Sequence, residues 1–203
     1  MLDLAIQFFF AGGWVMYPLL FLSLLSITLI FERCIFWFIG PERNGLKRLN
    51  QYIGMLSEQK LDQARTISQQ DGTLEGGLVR GSLERGYRSE AALIGQIEAQ
   101  RPGIERFATT LGTVIAAAPL LGILGTVTGI IRSFDLLGEA SAISDPALIA
   151  GGIAEALYTT AFGLSVALVT LFPHVVFKSK ADRALGRLEI LAGAIVDASR
   201  STD

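Results

Sequence analysis

The sequence predicts an all-α membrane protein with three transmembrane helices and long cytoplasmic helical extensions. Three segments of more than 20 residues contain no Asp, Glu, Lys or Arg, and each is long enough to cross about 30 Å of hydrocarbon. Hydrophobic residues make up 51% of the 203-residue chain, a high share for a soluble domain of this size. The lysines and arginines are also distributed very unevenly among the connecting segments, as is typical of multi-pass membrane proteins.

The first span is placed at residues 14–38, with aromatic residues near both ends. Trp14 and Trp37 lie where the amphipathic indole ring is favoured, at the two membrane–water interfaces. Residues 1–13 end in a Gly-Gly pair, and they are predicted to form a short helix that lies in the interface. No basic residue precedes Arg33, whereas a cleaved signal peptide opens with basic residues. We therefore expect the first span to be a membrane anchor.

The basic residues predict the orientation of the chain in the membrane. Of the 17 lysines and arginines, Arg132 is the one that lies between the second and third apolar segments, and none precedes Arg33. All the others follow the first or the third apolar segment. Because segments rich in Lys and Arg remain in the cytoplasm, the amino terminus is expected outside and the carboxyl terminus inside.

The remaining elements follow from changes of composition along the chain. Residues 39–106 are polar and charged, and they are predicted to form a cytoplasmic helical region. The second span is placed at 107–131, a periplasmic loop at 132–147, and the third span at 148–177. Residues 178–203 are again charged and are predicted to form a cytoplasmic C-terminal helix.

The composition argues against several functional classes. His174 is the single histidine and Cys34 the single cysteine, so that neither a metal site nor a nucleophile–base pair can be assembled from the usual residues. The glycines near residue 77 are not followed by Lys-Ser or Lys-Thr, as a phosphate-binding loop requires. Basic and acidic residues alternate, which disfavours nucleic-acid binding. The sequence predicts neither an enzyme nor a bound cofactor.

Three polar residues in the second and third spans are the candidates for an ion pathway. The second span runs outward to Arg132, which places Thr126 about 9 Å inside its outer end. The third span runs inward from Glu155, which places Thr160 about 7.5 Å below that carboxylate. We therefore expect both hydroxyls at a similar depth, beneath an acidic group at the outer mouth.

Three further residues are secondary candidates, and each also has a simpler interpretation. Thr159 diverges from Thr160 by 100° around the helix, so that both cannot point at one axis. Pro119 frees a backbone carbonyl in the second span, but proline kinks are common in membrane helices. His174, at the cytoplasmic edge, suits either a proton-entry group or a side chain at headgroup level. Threonines and glycines at these spacings also fit helix packing alone.

No Asp, Glu, Lys or Arg lies deep in any of the spans. A complete proton relay normally includes a titratable group near the membrane midplane. If protons cross an assembly of this protein, a second protein must supply the carboxylate. The threonines are suited to line such a path and unable to replace its proton-carrying group.

Two segments resemble the signatures of a known family. Residues 118–130, APLLGILGTVTGI, resemble the second-span signature of the MotA/TolQ/ExbB proton-channel family, and residues 152–164, GIAEALYTTAFGL, resemble its third-span signature. Three spans and an outside amino terminus make the chain similar to ExbB and TolQ. The family usually has Trp at the position of Thr128 and Pro at the position of Val169.

The resemblance implies a homopentamer in the bacterial inner membrane, with the second and third spans around a central pore. Single-span partners of the ExbD/TolR type would occupy the pore, each bringing an aspartate, and a TonB- or TolA-like periplasmic protein would transmit the movement. Thr126 and Thr160 match the pore threonines, and Glu155 matches the carboxylate at the mouth. The transported ion, H⁺ or Na⁺, and the load remain open. A non-conducting membrane scaffold or transporter subunit is the alternative.

Overall fold

The computed structural model describes residue 9 and residues 12–86, 89–139 and 146–200, and within this part of the chain every regular element is helical. Three helical stretches are long and apolar enough to cross a membrane: Met16–Ile39, Ala108–Asp135 and Ala150–Arg200. The predicted fold class is therefore confirmed.

Seven α-helices are described, and the longest are the first and the last two. A π-helical segment, Ile35–Ile39, and a 3₁₀ turn, Pro41–Asn44, follow the first helix. The α-helices are α1 (Met16–Cys34), α2 (Gly45–Ser57), α3 (Leu61–Gln70), α4 (Leu74–Arg85), α5 (Glu90–Ile104), α6 (Ala108–Glu139) and α7 (Pro146–Arg200).

Some element bounds differ from those predicted. Helix α6 continues to Glu139, so that residues 132–139 of the predicted 132–147 loop are helical. Helix α7 runs from Pro146 to Arg200 without interruption, although the third span and the C-terminal helix were placed separately at 148–177 and 178–203. Hydropathy marks where apolar residues end, whereas a helix can continue into polar residues as long as its backbone hydrogen bonds are formed. Residues 140–145 and nearly all of the predicted interfacial helix, 1–13, lie outside the described residues.

The chain divides into two compact units. The transmembrane unit comprises the described residues up to Ile30 together with Thr109–His174, and the extension unit comprises Phe31–Ala108 together with the part of α7 that follows His174. Helix α7 thus contributes to both.

In the transmembrane unit, one apolar cluster joins all three long helices. Its buried members come from the start of α1 and the residue before it, and from the first halves of α6 and α7: Val15, Met16, Leu19, Val114, Ala118, Val166 and Ala167. Large apolar side chains on the opposite faces, such as Phe21 and Phe172, remain exposed. Outward-facing apolar residues are expected where lipid is the solvent.

In the extension unit, helices α2–α5 and the charged end of α7 bury a second set of apolar residues. On α7 the buried residues recur every three or four positions, which is the spacing of one helix face: Ala181, Ala184, Leu185, Leu188, Leu191, Ala192 and Ile195.

Local signals set the limits of α4. At its start, the Thr73 hydroxyl accepts a hydrogen bond from the Gly76 amide at 3.1 Å. At its end, Gly86 stops the helix with a left-handed φ of +66°.

Two buried carboxylates share one guanidinium in the core of the extension unit. Arg187 Nε donates to Glu75 Oε1 at 2.5 Å, and its Nη2 lies 3.4 Å from Glu42 Oε2. The Leu74 amide donates to the other oxygen of Glu42 at 2.7 Å. Burial raises the pKa of the Glu42 carboxyl to about 7, and the neighbouring Glu75 charge acts in the same direction. The hydrogen bond from the Leu74 amide and the charge of Arg187 lower this pKa, but their effect is smaller. The cluster has two carboxylates and one arginine, so that the charge of one carboxylate is not balanced within it.

A second polar pair lies beside these carboxylates. The Tyr52 hydroxyl donates to Asp71 Oδ2 at 2.9 Å, and the other oxygen of Asp71 accepts from the Thr73 amide at 3.0 Å. Arg48 Nε lies 3.4 Å from the same Oδ2 atom. Burial and the hydrogen bond to Asp71 raise the pKa of the Tyr52 phenol, so that the hydroxyl remains a donor at neutral pH.

Candidate ion-pathway site

Helices α6 and α7 pack against each other through small residues. A Cβ added to Gly122 would come within 3.0 Å of the Thr159 carbonyl, and one added to Gly129 within 3.0 Å of the Ala156 Cβ. Gly163 approaches the Ala118 carbonyl even more closely. Partner numbers on α7 fall as those on α6 rise, so that the two helices are antiparallel. Small side chains allow the backbones to approach at this distance.

The structure brings Thr126 and Thr160 together across this interface. Their hydroxyls are hydrogen-bonded to each other, and both side chains are half-buried. Thr126 Oγ1 also lies 3.1 Å from the Ala156 carbonyl, and Thr160 Oγ1 lies 3.0 Å from the Gly122 carbonyl. Each hydroxyl has one proton and two lone pairs, so the pair keeps acceptor capacity after its mutual bond is formed. The two residues lie at the same level, as the spacing from the helix ends predicts.

Thr159 occupies a different environment from its neighbour Thr160. It is 1% exposed, and its hydroxyl lies 2.8 Å from the Ala156 carbonyl and 3.3 Å from the Gly122 carbonyl. Its side chain fills the space that the missing Cβ of Gly125 leaves. These contacts make Thr159 part of the helix interface.

Glu155 lies one turn before Thr159 and is held from two sides. Arg132 Nη1 is 3.6 Å from Glu155 Oε2, and the Glu155 side chain is 23% exposed. The other carboxylate oxygen lies directly against Gly13, whose φ of +66° favours glycine. A side chain at position 13 would occupy the place of the carboxylate.

Sequence reasoning did not identify these two neighbours of Glu155. In the sequence, Arg132 marks the end of the second span and is the one basic residue of the loop predicted to be periplasmic. Gly13 belongs to the break before the first span. The available signals were the Gly-Gly pair at 12–13 and a single basic residue outside the main basic segments. Neither signal indicates which residue it would contact.

Pro119 and His174 are not part of this arrangement. Pro119 is half-buried within α6, and the helix continues through it. His174 is half-buried and lies 14 residues beyond Thr160 on α7, about 21 Å along the helix axis. The structure therefore groups Thr126, Thr160 and Glu155 with Thr159, and it leaves the other two candidates apart.

Chemically, the arrangement offers hydroxyl and carbonyl oxygens within apolar helices, under a carboxylate that is paired with an arginine. Oxygen groups of this kind can stabilise a passing cation or a hydrogen-bonded water. They cannot carry a proton through the midplane by ionising, because threonine does not titrate in the physiological range.

Comparison with known proteins identifies relatives over most of the chain. A sequence model of the MotA/TolQ/ExbB proton channel family matches residues 67–190. A Synechocystis sp. protein named as a biopolymer transport protein, ExbB-like 3, is 35% identical over 193 residues, which cover 91% of this chain and 90% of the relative.

Two further relatives come from Vibrio cholerae and Pseudomonas aeruginosa. The biopolymer transport protein exbB1 of Vibrio cholerae is 26% identical and covers 87% of this chain and 80% of its own length. The Tol-Pal system protein TolQ of Pseudomonas aeruginosa is 38% identical over 77 residues, which cover 38% of this chain and 33% of its own. With three apolar spans, the two signature segments and these matches, this multi-pass membrane protein belongs to the MotA/TolQ/ExbB proton channel family.

Proposed function

We propose that the chain is the pore-forming stator subunit of an energy-transducing complex driven by the proton-motive force. The observation that carries this proposal is the Thr126–Thr160 hydroxyl pair beneath Glu155 in two spans that lack any mid-depth acid. These oxygens would line one side of an ion pathway. A single-span partner of the ExbD/TolR type would supply the titratable carboxylate on the other side.

The assembly and its setting belong to the same proposal. Several copies of the chain, five by the family resemblance, would surround the partner helices in the inner membrane. The distribution of Lys and Arg supports a periplasmic amino terminus and a cytoplasmic carboxyl terminus. A TonB- or TolA-like periplasmic protein would transmit the movement to the outer membrane. Native mass spectrometry of the complex, expressed with its neighbouring genes, measures the copy number and identifies the partner.

The decisive test is ion flux through the complex reconstituted in vesicles with its single-span partner. Thr160→Val keeps the shape of the side chain and removes the hydroxyl. We expect the flux to fall at least tenfold while the assembly remains intact. Thr170→Val is the matched control, because Thr170 lies on the same helix and its hydroxyl bonds to the Val166 carbonyl of that helix, at 2.7 Å. Separate proton and sodium gradients identify the ion.

The alternative, a non-conducting scaffold or transporter subunit, is favoured by one feature of the site. The hydroxyls of Thr126, Thr159 and Thr160 all lie within hydrogen-bond distance of backbone carbonyls, as packing residues do. If the protein is a scaffold, vesicles with the unchanged protein and vesicles with Thr160→Val would both show the background flux of empty vesicles. A complex that contains no acidic single-span partner would also refute the stator proposal.

A further inference from the structure

The extension unit contains a cavity of about 510 Å³ between the end of the first span and the charged part of α7. Its walls carry Trp37, Glu42 and Arg43 on one side and Lys180, Arg183 and Arg187 on the other, so that four cations and one carboxylate line it. These cations contribute to the predicted orientation of the chain, and the candidate ion pathway does not include them. Cavity and charges therefore need a separate explanation.

Three of the cations around this cavity have no carboxylate partner within the described part of the chain. Arg43, Lys180 and Arg183 form no ion pair there, and Lys180 Nζ lies 4.3 Å from the centre of the Phe38 ring. Arg187, by contrast, is held by buried carboxylates. The wall thus presents an excess of positive charge, which favours an anionic ligand.

The position of the cavity indicates which anion. Trp37 lies in the last turns of the apolar stretch Met16–Ile39, where indole rings mark the membrane interface. Lys180 and Arg183 follow the last apolar residue of the third span, Phe177, by about 4.5 and 9 Å along the helix. That distance is comparable to the thickness of the headgroup layer.

Apolar surface continues from the charged wall. Phe38, whose ring lies beside Lys180, is half exposed, and the next residue, Ile39, is 75% exposed. A free phosphate or nucleotide would make no contact with these apolar side chains. A phospholipid can contact the cations through its phosphate and the apolar surface through an acyl chain. Basic pockets at the membrane surface are a known way to hold anionic lipid headgroups.

We propose that this cavity is a binding site for the headgroup of an anionic phospholipid. Arg43, Lys180 and Arg183 contact the phosphate, and Trp37 forms the wall nearest the membrane. A lipid bound here joins the π-helical segment and the 3₁₀ turn that follow α1 to the charged part of α7 within the extension unit.

Trp37 provides a local probe of this site. The chain has two tryptophans, so that Trp14→Phe makes Trp37 the single one. The full-length protein is reconstituted in vesicles that contain either brominated phosphatidylglycerol or brominated phosphatidylcholine at equal mole fraction. Bromine quenches a tryptophan at short range. We expect the phosphatidylglycerol to quench Trp37 more strongly than the phosphatidylcholine.

A charge-removing variant and a matched control complete the test. Arg43→Gln, Lys180→Gln and Arg183→Gln together should abolish the preference, with a loss of about fivefold in selectivity for each cation. The control removes three cations elsewhere in the extension unit, through Lys60→Gln, Arg65→Gln and Arg80→Gln, and should retain it. If the triple variant fails to fold, the single variants Lys180→Gln and Arg183→Gln each test the expected fivefold loss.

Several results would overturn the proposal. Equal quenching by the two lipids in the unchanged protein would show that the cavity does not select a phospholipid, as when a second copy of the chain covers it. Loss of the preference in the control variant would show only a general attraction of charge. Reversal of the preference by millimolar inorganic phosphate would assign the site to a soluble anion.

Discussion

Replacing Arg187 with methionine removes the single guanidinium that two buried carboxylates share. Glu75 is 0% exposed and the Glu42 side chain 3% exposed, so that both carboxylates are largely shielded from water. One oxygen of Glu75 already lacks a hydrogen-bond partner. Methionine has a similar length and fills much of the same volume, so the loss of charge is the main change.

The expected cost follows from this burial. Removing one partner of a buried ion pair leaves an uncompensated charge and costs about 3–5 kcal/mol. Protonation of one carboxylate would relieve part of this cost, because burial already raises the pKa of Glu42 to about 7. We therefore expect a loss at the lower end, about 3 kcal/mol in the free energy of unfolding at pH 7.

The assay is urea unfolding in mild detergent, followed by the fluorescence of Trp37, which is buried in the extension unit. With a slope of about 2 kcal/mol/M, the midpoint should fall by roughly 1–2 M. Arg183→Met is the matched control, because this cation lies one turn earlier on α7 and has no carboxylate partner among the described residues. Its midpoint should change by less than about 0.3 M.

A double variant separates charge from packing. Glu75→Gln combined with Arg187→Met removes one buried charge of each sign, and we expect it to regain at least half of the lost stability. Equal stability of Arg187→Met and the unchanged protein would refute the reasoning. So would a double variant as unstable as the sum of its single variants, since that would mean that the residues do not interact.

Three further predictions concern other contacts. Gly163→Ala should destabilise the transmembrane unit by about 1–3 kcal/mol, because the new Cβ meets the Ala118 carbonyl; heat-induced loss of helicity in detergent measures it. Tyr52→Phe should cost about 1–2 kcal/mol in urea unfolding, because Asp71 loses a buried donor at 2.9 Å. Finally, stability should fall as the pH rises from 4.5 to about 7, because folded Glu42 keeps a proton that the unfolded chain releases in this range; unfolding midpoints at a series of pH values measure it.

Each of these predictions has its own control. Gly112→Ala, where no atom lies within 4 Å of the added Cβ, should leave the melting temperature unchanged or raise it. Tyr17→Phe removes an exposed phenol and should alter the urea midpoint little. Glu42→Gln should flatten the pH dependence, and a slope that persists in this variant would assign the titration to another group.

The sequence was sufficient to place the three spans and the level of the candidate site. An uncharged run of more than 20 residues has few alternatives to a membrane helix. Distance along a helix is fixed at 1.5 Å per residue, which is why Thr126 and Thr160 could be placed at one depth by counting from Arg132 and Glu155. The family assignment, too, rested on two contiguous segments. The role of these residues in an ion pathway stays a prediction.

The choice between neighbouring threonines needed the tertiary structure. Thr159 and Thr160 are equivalent in composition and differ only in direction, and their burial depends on how α7 is rotated against α6. The structure places Thr159 in the helix interface and leaves Thr160 half-buried against Thr126. A rotation of this kind is set by which small residues let the backbones approach, and periodicity along one helix does not reveal it.

By itself the sequence determined the class of the protein, its spans and its family, because hydropathy, charge and short motifs are properties of contiguous residues. Only the tertiary structure decided which distant groups meet. Glu42 and Glu75 contact Arg187 although 145 and 112 positions of the chain separate them from it, and Gly13 contacts Glu155 although the two are comparably distant in the sequence. Because these groups are buried, breaking such a contact costs much stability. In the sequence, however, each partner cannot be distinguished from an ordinary surface charge or a flexible glycine.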